Sequence, residues 1–263
     1  MRLTLAITTY ERADALAAVL ASVWNQQEAP DELVLADDGS GDATRRLIAR
    51  FAAAAPFPVH HVRQDHEGFR VARLRNLAVA RASGELIVFI DGDMVLHPQF
   101  ITDHRRHARR GCWTQGVRLR LDAAATARCI AKARAPLGPA SSGLGVLRRV
   151  YALHSPRGSN ALRHAANAFI SVKSSNQSVW REDLIAVNGF NEEFVGWGPE
   201  DKELAARLAH RGIRRQTLLF GGIAYHLHHP PVSRERRAAN EAIYARTLAQ
   251  RLERCTHGLD AHL

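Results

Sequence analysis

Short apolar runs alternate with longer helical stretches through the first hundred residues of the chain. Leu3 to Thr8 and Glu32 to Ala36 are compact and largely aliphatic, Val59 to Val62 is a short run closed by valines, and Leu86-Ile87-Val88-Phe89-Ile90 lies uninterrupted between Gly84 and Gly92. Runs of this kind, bounded by glycine and lacking polar alternation, predict strands covered on both faces. Between them, Ala13 to Trp24 carries apolar residues at three- and four-residue spacing, and Asp42 to Ala54 and the basic stretch Phe69 to Ala82 complete the helices. The βαβα order predicts an α/β fold with a mostly parallel central sheet flanked by helices.

The second half is less regular. Residues 122–165 are rich in Ala, Arg, Gly and Ser, with Pro136 and Pro139 between helical stretches, and read as an insert. Phe169 to Val172 and Arg215 to Tyr225 read as strands, Arg181 to Val187 and Glu200 to Arg211 as helices, and Ser233 to Arg254 as a basic terminal helix.

The polar punctuation is not random. Thr8-Thr9-Tyr10-Glu11, Asp37-Asp38-Gly39-Ser40 and Asp91-Gly92-Asp93 each follow a strand, and open α/β sheets bind ligands at the carboxyl ends of their strands. Asp91 and Asp93 offer oxygens suited to Mg²⁺ or Mn²⁺, and such a cation in turn binds a diphosphate. In the second cluster, Ser40 or Asp42 can cap the following helix, while one of Asp37 and Asp38 can accept the ring N–H of a uracil. Thr8, Thr9 and Tyr10 can support a base and ribose. On the helix after Phe69, Arg70 and Arg73 share a face and Arg75 points elsewhere; this is either a solvated basic face or a source of an arginine for a pyrophosphate.

Gly196-Trp197-Gly198-Pro199-Glu200-Asp201 is the sharpest segment of the second half. Pro199 suits the first helical position, and the macrodipole favours acids in a first turn. Trp197 between glycines resists a packing explanation. An aromatic platform beside carboxylates can hold a sugar, the ring covering its C–H face and an acid accepting a hydroxyl proton. A helix N-terminus lowers a carboxylate pKa, whereas a general base gains from a raised one, so burial would have to oppose the dipole. His226, His228 and His229 end the strand that starts near Arg215, and an extended chain would turn His226 and His228 one way and His229 the other.

Composition narrows the setting. The 263 residues hold one sizeable core or two small ones, 46% hydrophobic content fits a globular protein, and no stretch approaches a membrane span. Cys112, Cys129 and Cys255 are distant and odd in number, which speaks for a reducing cytosol and against a disulfide framework. The net charge of +10 predicts an anionic partner: nucleic acid, acidic lipid, sugar nucleotide or acidic glycan.

Taken in order, Thr8 to Arg12, Asp37 to Ser40, Arg75-Asn76-Leu77, Asp91 to Met94, Asn188-Gly189-Phe190, Gly196 to Asp201 and Ala224-Tyr225-His226 resemble family 2 inverting glycosyltransferases of GT-A (Rossmann-like) fold. The likeness is to bacterial chondroitin polymerase catalytic domains and the C-terminal half of β-1,4-galactosyltransferases. It spans residues 3–121 and 167–232. The resemblance implies a single catalytic domain over residues 1–232: a nucleotide-sugar half (1–121), a helical insert (122–166) and an acceptor half (167–232). A basic C-terminal helix and tail follow over 233–263. By the same resemblance Asp38 would bind uracil, with Thr8, Tyr10, Glu11, Gln64 and Arg75 lining the donor site. Asp91 would touch ribose or metal, and Asp93 and His226 would ligate Mn²⁺ or Mg²⁺. Trp197 and Gly198 would face the acceptor sugar, Glu200 would position its hydroxyls, and Asp201 would be the general base. His228 and His229 stand where similar enzymes carry other polar residues, and gain no role from it.

The expected partners are a UDP-sugar donor and a glycan or glycolipid acceptor, in the cytoplasm, with peripheral contact to anionic membrane suited by the basic surface. A sugar nucleotidyltransferase would share the front half without needing Trp197 to Asp201. A basic nucleic-acid-binding protein is disfavoured by only four Trp and four Tyr with no aromatic–basic interleaving.

Overall fold

The computed structural model describes residues 1–132, 146–168, 171–230 and 235–263. The first half builds β1 (Leu3–Thr9), α1 (Ala13–Trp24), β2 (Glu32–Asp37), α2 (Asp42–Ala54), β3 (Val59–Arg63), α3 (Val71–Arg81), β4 (Leu86–Asp91), β5 (Met94–Leu96) and α4 (Phe100–His107). Then come β6 (Cys112–Gln115), β7 (Val117–Arg120), α5 (Ala123–Lys132), α6 (Pro156–Leu162), β8 (Asn176–Trp180), α7 (Arg181–Ala186), α8 (Glu200–His210), β9 (Arg214–Thr217), β10 (Ile223–His226) and α9 (Arg237–Ala249).

A seven-stranded sheet runs in the order β3-β2-β1-β4-β8-β6-β9. β3, β2, β1 and β4 are mutually parallel, β8 is antiparallel to both neighbours, and β6 pairs parallel with β9. Every residue of β1 and β2 is buried, as uninterrupted apolar runs require. One core lies between the sheet and α1 with the small second sheet, and includes Leu5, Leu16, Val88 and Tyr225. Another lies on the opposite face and includes Val34, Phe89, Phe190, Leu204 and Leu259.

Register sets the strand ends level. Thr8 pairs with Asp91, Thr9 with Asp37, and Asp37 with Arg63, so the polar clusters emerge along one edge. A second sheet, β5-β10-β7, lies beyond that edge. Its pairing sets His226 opposite Met94 in the antiparallel partner and opposite Arg120 in the parallel one.

Several sequence expectations need correcting. Arg215 to Tyr225 is two strands, β9 and β10, in different sheets, because the turn at Phe220 (φ 64°) and Gly222 (φ 53°) breaks the run. The predicted strand Phe169 to Val172 falls partly outside the described residues, and Ser171 and Val172 are not strand. Pro136, Pro139 and the start of the terminal helix at Ser233 also lie outside them. β8, rich in polar residues, was not foreseen as a sheet strand. The stretch after it folds back to be part of the same body: Leu259 is fully buried, and the Asp260 N–H donates to Asn188 Oδ1. Among the described residues no helix is long and apolar enough to cross a membrane. His104 is buried with its ring nitrogens 3.0 Å from Ser178 Oγ and Asn176 Oδ1; burial pushes its pKa down to about 4, and it acts as packing.

Candidate active site

The carboxyl end of β4 delivers Asp91 and Asp93 to the rim of the sheet. Asp91 Oδ1 accepts from Thr8 Oγ1 and from Arg75, each at 3.2 Å. Arg75 does point away from Arg70 and Arg73, as its helical phase demands, and it is buried. Its second amino group reaches Glu200 Oε1 at 3.2 Å, and its guanidinium lies 5.2 Å from the centre of the Phe190 ring. One guanidinium therefore ties the end of β4 to the start of α8, which are more than a hundred residues apart in sequence.

Asp93 meets two histidines. The Nε2 atoms of His226 and His229 each lie 3.4 Å from Asp93 Oδ2. The alternating pattern expected for His226, His228 and His229 fails, since β10 ends at His226 and the chain bends. The Leu227 N–H donates to Asp93 O, the His228 N–H to Thr126 Oγ1, and the His229 ring returns to within 5.0 Å of His226. Asp93, His226 and His229 each present a ligand atom within 4.8 Å of the others. His229 was the ligand candidate the sequence reading passed over; its three-residue step from His226 was the available signal.

The electrostatics suit a cation. Burial, then the neighbouring Asp91, raises the Asp93 carboxyl to about 7 against the opposing pull of Arg12 and Arg118. Asp93 Oδ1 is buried without a hydrogen-bond partner. Burial and the nearby Arg118 hold His226 down at about 3, so it stays a neutral imidazole, the form that ligates. An orphaned carboxylate oxygen beside two imidazoles is a donor set that can hold a divalent cation.

Arg118, on β7, was missed. It faces Asp91, Asp93 and Asp201, desolvation lowers its pKa, and its nearest hydrogen-bond partner is Ser175 Oγ at 3.5 Å. The alternation Val117-Arg118-Leu119-Arg120 was the only hint.

Glu200 and Asp201 open α8 behind Pro199, which caps the helix rather than starting it. Both are buried. Burial, then the charge of Asp201, raises Glu200 to about 7 despite Arg75; burial likewise raises Asp201, against Lys173 and Arg75 and the Lys202 N–H that Asp201 Oδ1 accepts at 2.8 Å. For both, burial outweighs the charges and hydrogen bonds that favour the ionised form. Trp197 is half-buried in the loop ahead. Asn240 of α9 donates to the carbonyls of Val195 and Trp197 at 3.0 and 2.9 Å. A Cβ on Gly198 would lie 2.7 Å from the Asn240 side chain, so that glycine has a packing reason after all.

Two further motifs meet away from the cleft. Asn76 donates to Phe190 O and Glu192 Oε1 and accepts the Phe190 N–H. This fastens α3 to the turn at Asn188 and Gly189, both at φ 64°.

Donor-side residues divide. Asp38 lies at the rim, with Oδ1 accepting from Gln64 Nε2 at 2.5 Å and Oδ2 2.9 Å from His66 Nδ1. Tyr10 is half-exposed beside it. Asp37 is a correction: its carboxylate is fully buried, accepts the Ser40 N–H and sits 3.2 Å from His61 Nε2, so it braces the loop. Glu11 is another. Its carboxylate accepts the Gly41 N–H, doing at the start of α2 the capping expected of Ser40 or Asp42, while Ser40 Oγ accepts the Glu11 N–H. Thr9 is buried, and its carbonyl accepts the Asp38 N–H at 2.9 Å, so it supports the rim from behind.

Residues 4–118 match the model of Glycosyl transferase family 2, and residues 171–230 that of the N-terminal domain of galactosyltransferase. Chondroitin synthase of Escherichia coli is 25% identical over 268 residues, a match covering 95% of this chain and 38% of that protein. The front of the chain is thus similar to glycosyltransferase family 2. The chain spans well under half the length of the E. coli relative. Its fold is shared with S. aureus TarS 1-349, solved with UDP-GlcNAc, at a TM-score of 0.66 and 15% identity over 100% of this chain and 69% of that one. It is also shared with the mannosyltransferase PcManGT from Pyrobaculum calidifontis, solved with GDP-Man and Mn²⁺, at a TM-score of 0.57 and 19% identity over 86% and 56%. Both matched family regions carry the cleft: the first contains Asp91 and Asp93, the second Glu200, Asp201, His226 and His229.

Proposed function

We propose that this glycosyltransferase moves a sugar from a nucleoside diphosphate donor, UDP-linked, to a hydroxyl of a glycan or glycolipid, with inversion at the anomeric carbon and dependence on Mn²⁺ or Mg²⁺. The observation that carries the reading is the Arg75 bridge, which holds the Asp91–Asp93 end of the sheet and the Glu200–Asp201 helix start in one cleft.

An acceptor hydroxyl is a weak nucleophile near neutral pH, so a carboxylate must take its proton during attack. Asp201 suits this, since Glu200 is held by Arg75 and is left to position hydroxyls, with Trp197 beneath the sugar ring. Asp93, His226 and His229 would hold the cation, which when bound neutralises charge gathering on the leaving diphosphate. Arg118 and Arg75 add fixed positive charge on the same side, stabilising that charge without a proton donor. Asp38 would accept a ring N–H of the base and Tyr10 would stack on it. Neighbours of this fold hold UDP-GlcNAc and GDP-Man, which supports a nucleotide-sugar donor and leaves base and sugar to experiment. The +10 charge supports a peripheral encounter with an anionic membrane.

The test is to screen UDP- and GDP-sugars for Mn²⁺-dependent transfer or hydrolysis, with Asp201→Asn as control. The expected variant binds donor as the wild type does and loses about 10²–10⁴-fold in turnover. Unchanged turnover would remove Asp201 as base. Formation of a sugar nucleotide from an added nucleoside triphosphate and sugar 1-phosphate, with release of pyrophosphate and no glycoside, would select the nucleotidyltransferase reading.

A further inference from the structure

We propose that His66 occupies the seat of the donor's base in the unliganded protein and must be displaced for a nucleotide to bind. This rests on the nucleotide-sugar reading and adds to it a competitor built into the chain.

His66 follows β3 in the segment leading to α3. Its ring lies on Tyr10, with centroids 4.1 Å apart and planes within 13°, the offset parallel stack that aromatic pairs favour. Its Nδ1 lies 2.9 Å from Asp38 Oδ2, the separation of an N–H donated to a carboxylate. A uracil carries the same equipment: a flat face and an in-plane ring N–H. The face of Tyr10 and the edge of Asp38 are the two features a base needs here, and His66 uses both. The remaining oxygen of Asp38 is engaged by Gln64, which Arg73 holds through its Oε1 at 2.8 Å. Asp38 therefore offers an incoming base no free edge until His66 leaves.

The backbone is arranged for that seat. Gly39 has φ +82°, and a Cβ there would lie 2.7 Å from the His66 nitrogen and 3.3 Å from the Gln64 carbonyl. Only a bare backbone lets the segment close onto the Asp38 turn. Departure costs no core packing, because the His66 side chain is 36% exposed while that of Asp38 is 7%. Two residues on, Gly68 (φ +80°) has nothing within 4 Å of its Cβ position, so the segment has open space to move into.

The consequence is a loss of affinity common to every ligand that carries the base. A free nucleoside must displace His66 with its base contacts alone, whereas a diphosphate adds its contacts near Asp93 and Arg75. Apparent affinity is reduced by the fraction of molecules with the seat open.

Calorimetric titration of uridine and of UDP with Mn²⁺ into wild type, His66→Ala and His66→Phe tests this. His66→Ala should bind both ligands more tightly by a common factor, roughly tenfold if the open state is a ~10% minority. His66→Phe keeps the stack, loses the Asp38 contact, and should fall between. UDP binding that is equal or weaker in His66→Ala would overturn the proposal, because His66 would then be a bystander or a wall of the pocket. Asp38→Asn separates the two readings. If it leaves UDP affinity unchanged in the His66→Ala background, the base does not sit on Asp38 and the underlying assignment fails instead.

Discussion

His229 shows how one residue changes the chemistry of a site. With Asp93 and His226 alone the cation would have two protein ligands; the bend after β10 supplies a third, and the orphaned Asp93 Oδ1 offers a further oxygen. His229→Ala should therefore weaken Mn²⁺ binding by more than the ~10–100-fold typical of losing a partner outside the coordination sphere, read by calorimetry with UDP present. The pH dependence has a definite sign. Asp93, raised to about 7, must lose its proton to bind a cation, so affinity should fall as pH drops below about 7. His226, held near 3, stays neutral over that range and adds nothing to the slope. An affinity flat from pH 8 to 5.5 would remove Asp93 from the ligand set. Asp93 was singled out by its residue type and His226 through the resemblance, and the structure sets the two side by side. His229 was not singled out, because strand alternation is a rule for extended chain and the chain is not extended there.

Elements built from apolar period alone were read well, and those that depend on distant polar partners were not. The bounds of α1 and α2 agree with the sequence reading because their apolar faces meet a sheet whose strands are themselves unambiguous. β8, by contrast, reads Asn-Gln-Ser-Val-Trp, and Asn176 finds its partners only far along the chain: its Nδ2 donates to Val117 O and Gly222 O. The order of α8 is similarly hidden. Arg207 is fully buried, its guanidinium on Glu203 at 2.7 and 2.8 Å and on the carbonyls of Val187 and Gly189. Thr247 of α9 also donates to Glu203 at 2.9 Å. This network fixes α8, and with it Glu200 and Asp201, against the turn that Asn76 holds. Arg207→Met leaves Glu203 buried without its cation and should cost about 3–5 kcal/mol in denaturant unfolding. The double variant with Glu203→Leu should recover a large part of that loss. A single variant within 1 kcal/mol of wild type, by the same ~1 kcal/mol scale that separates exposed from buried pairs, would show the pair to be solvated.

At the scale of the whole molecule, two family regions separated by an insert share one cleft, and Arg75 is the charge between them. Its removal acts through the carboxylates it faces. Glu200 is already raised to about 7 by burial and by Asp201, with Arg75 pulling the other way. Arg75→Met raises Glu200 further above its unfolded value. A carboxyl whose folded pKa exceeds its unfolded one lends stability below the unfolded value near 4.5, and that stability is lost as pH climbs to the folded value. The variant should therefore lie close to wild type in Tm at pH 5, where Glu200 is protonated in the folded state, and fall progressively behind from pH 6 to 9. Its transfer activity, if Asp201 is the base, should shift toward alkaline pH, since the same lost cation also lowers Asp201 in the wild type. A deficit equal at pH 5 and pH 9 would mean that Arg75 contributes packing against Phe190 rather than charge, and the two halves of the cleft would then be held by shape alone.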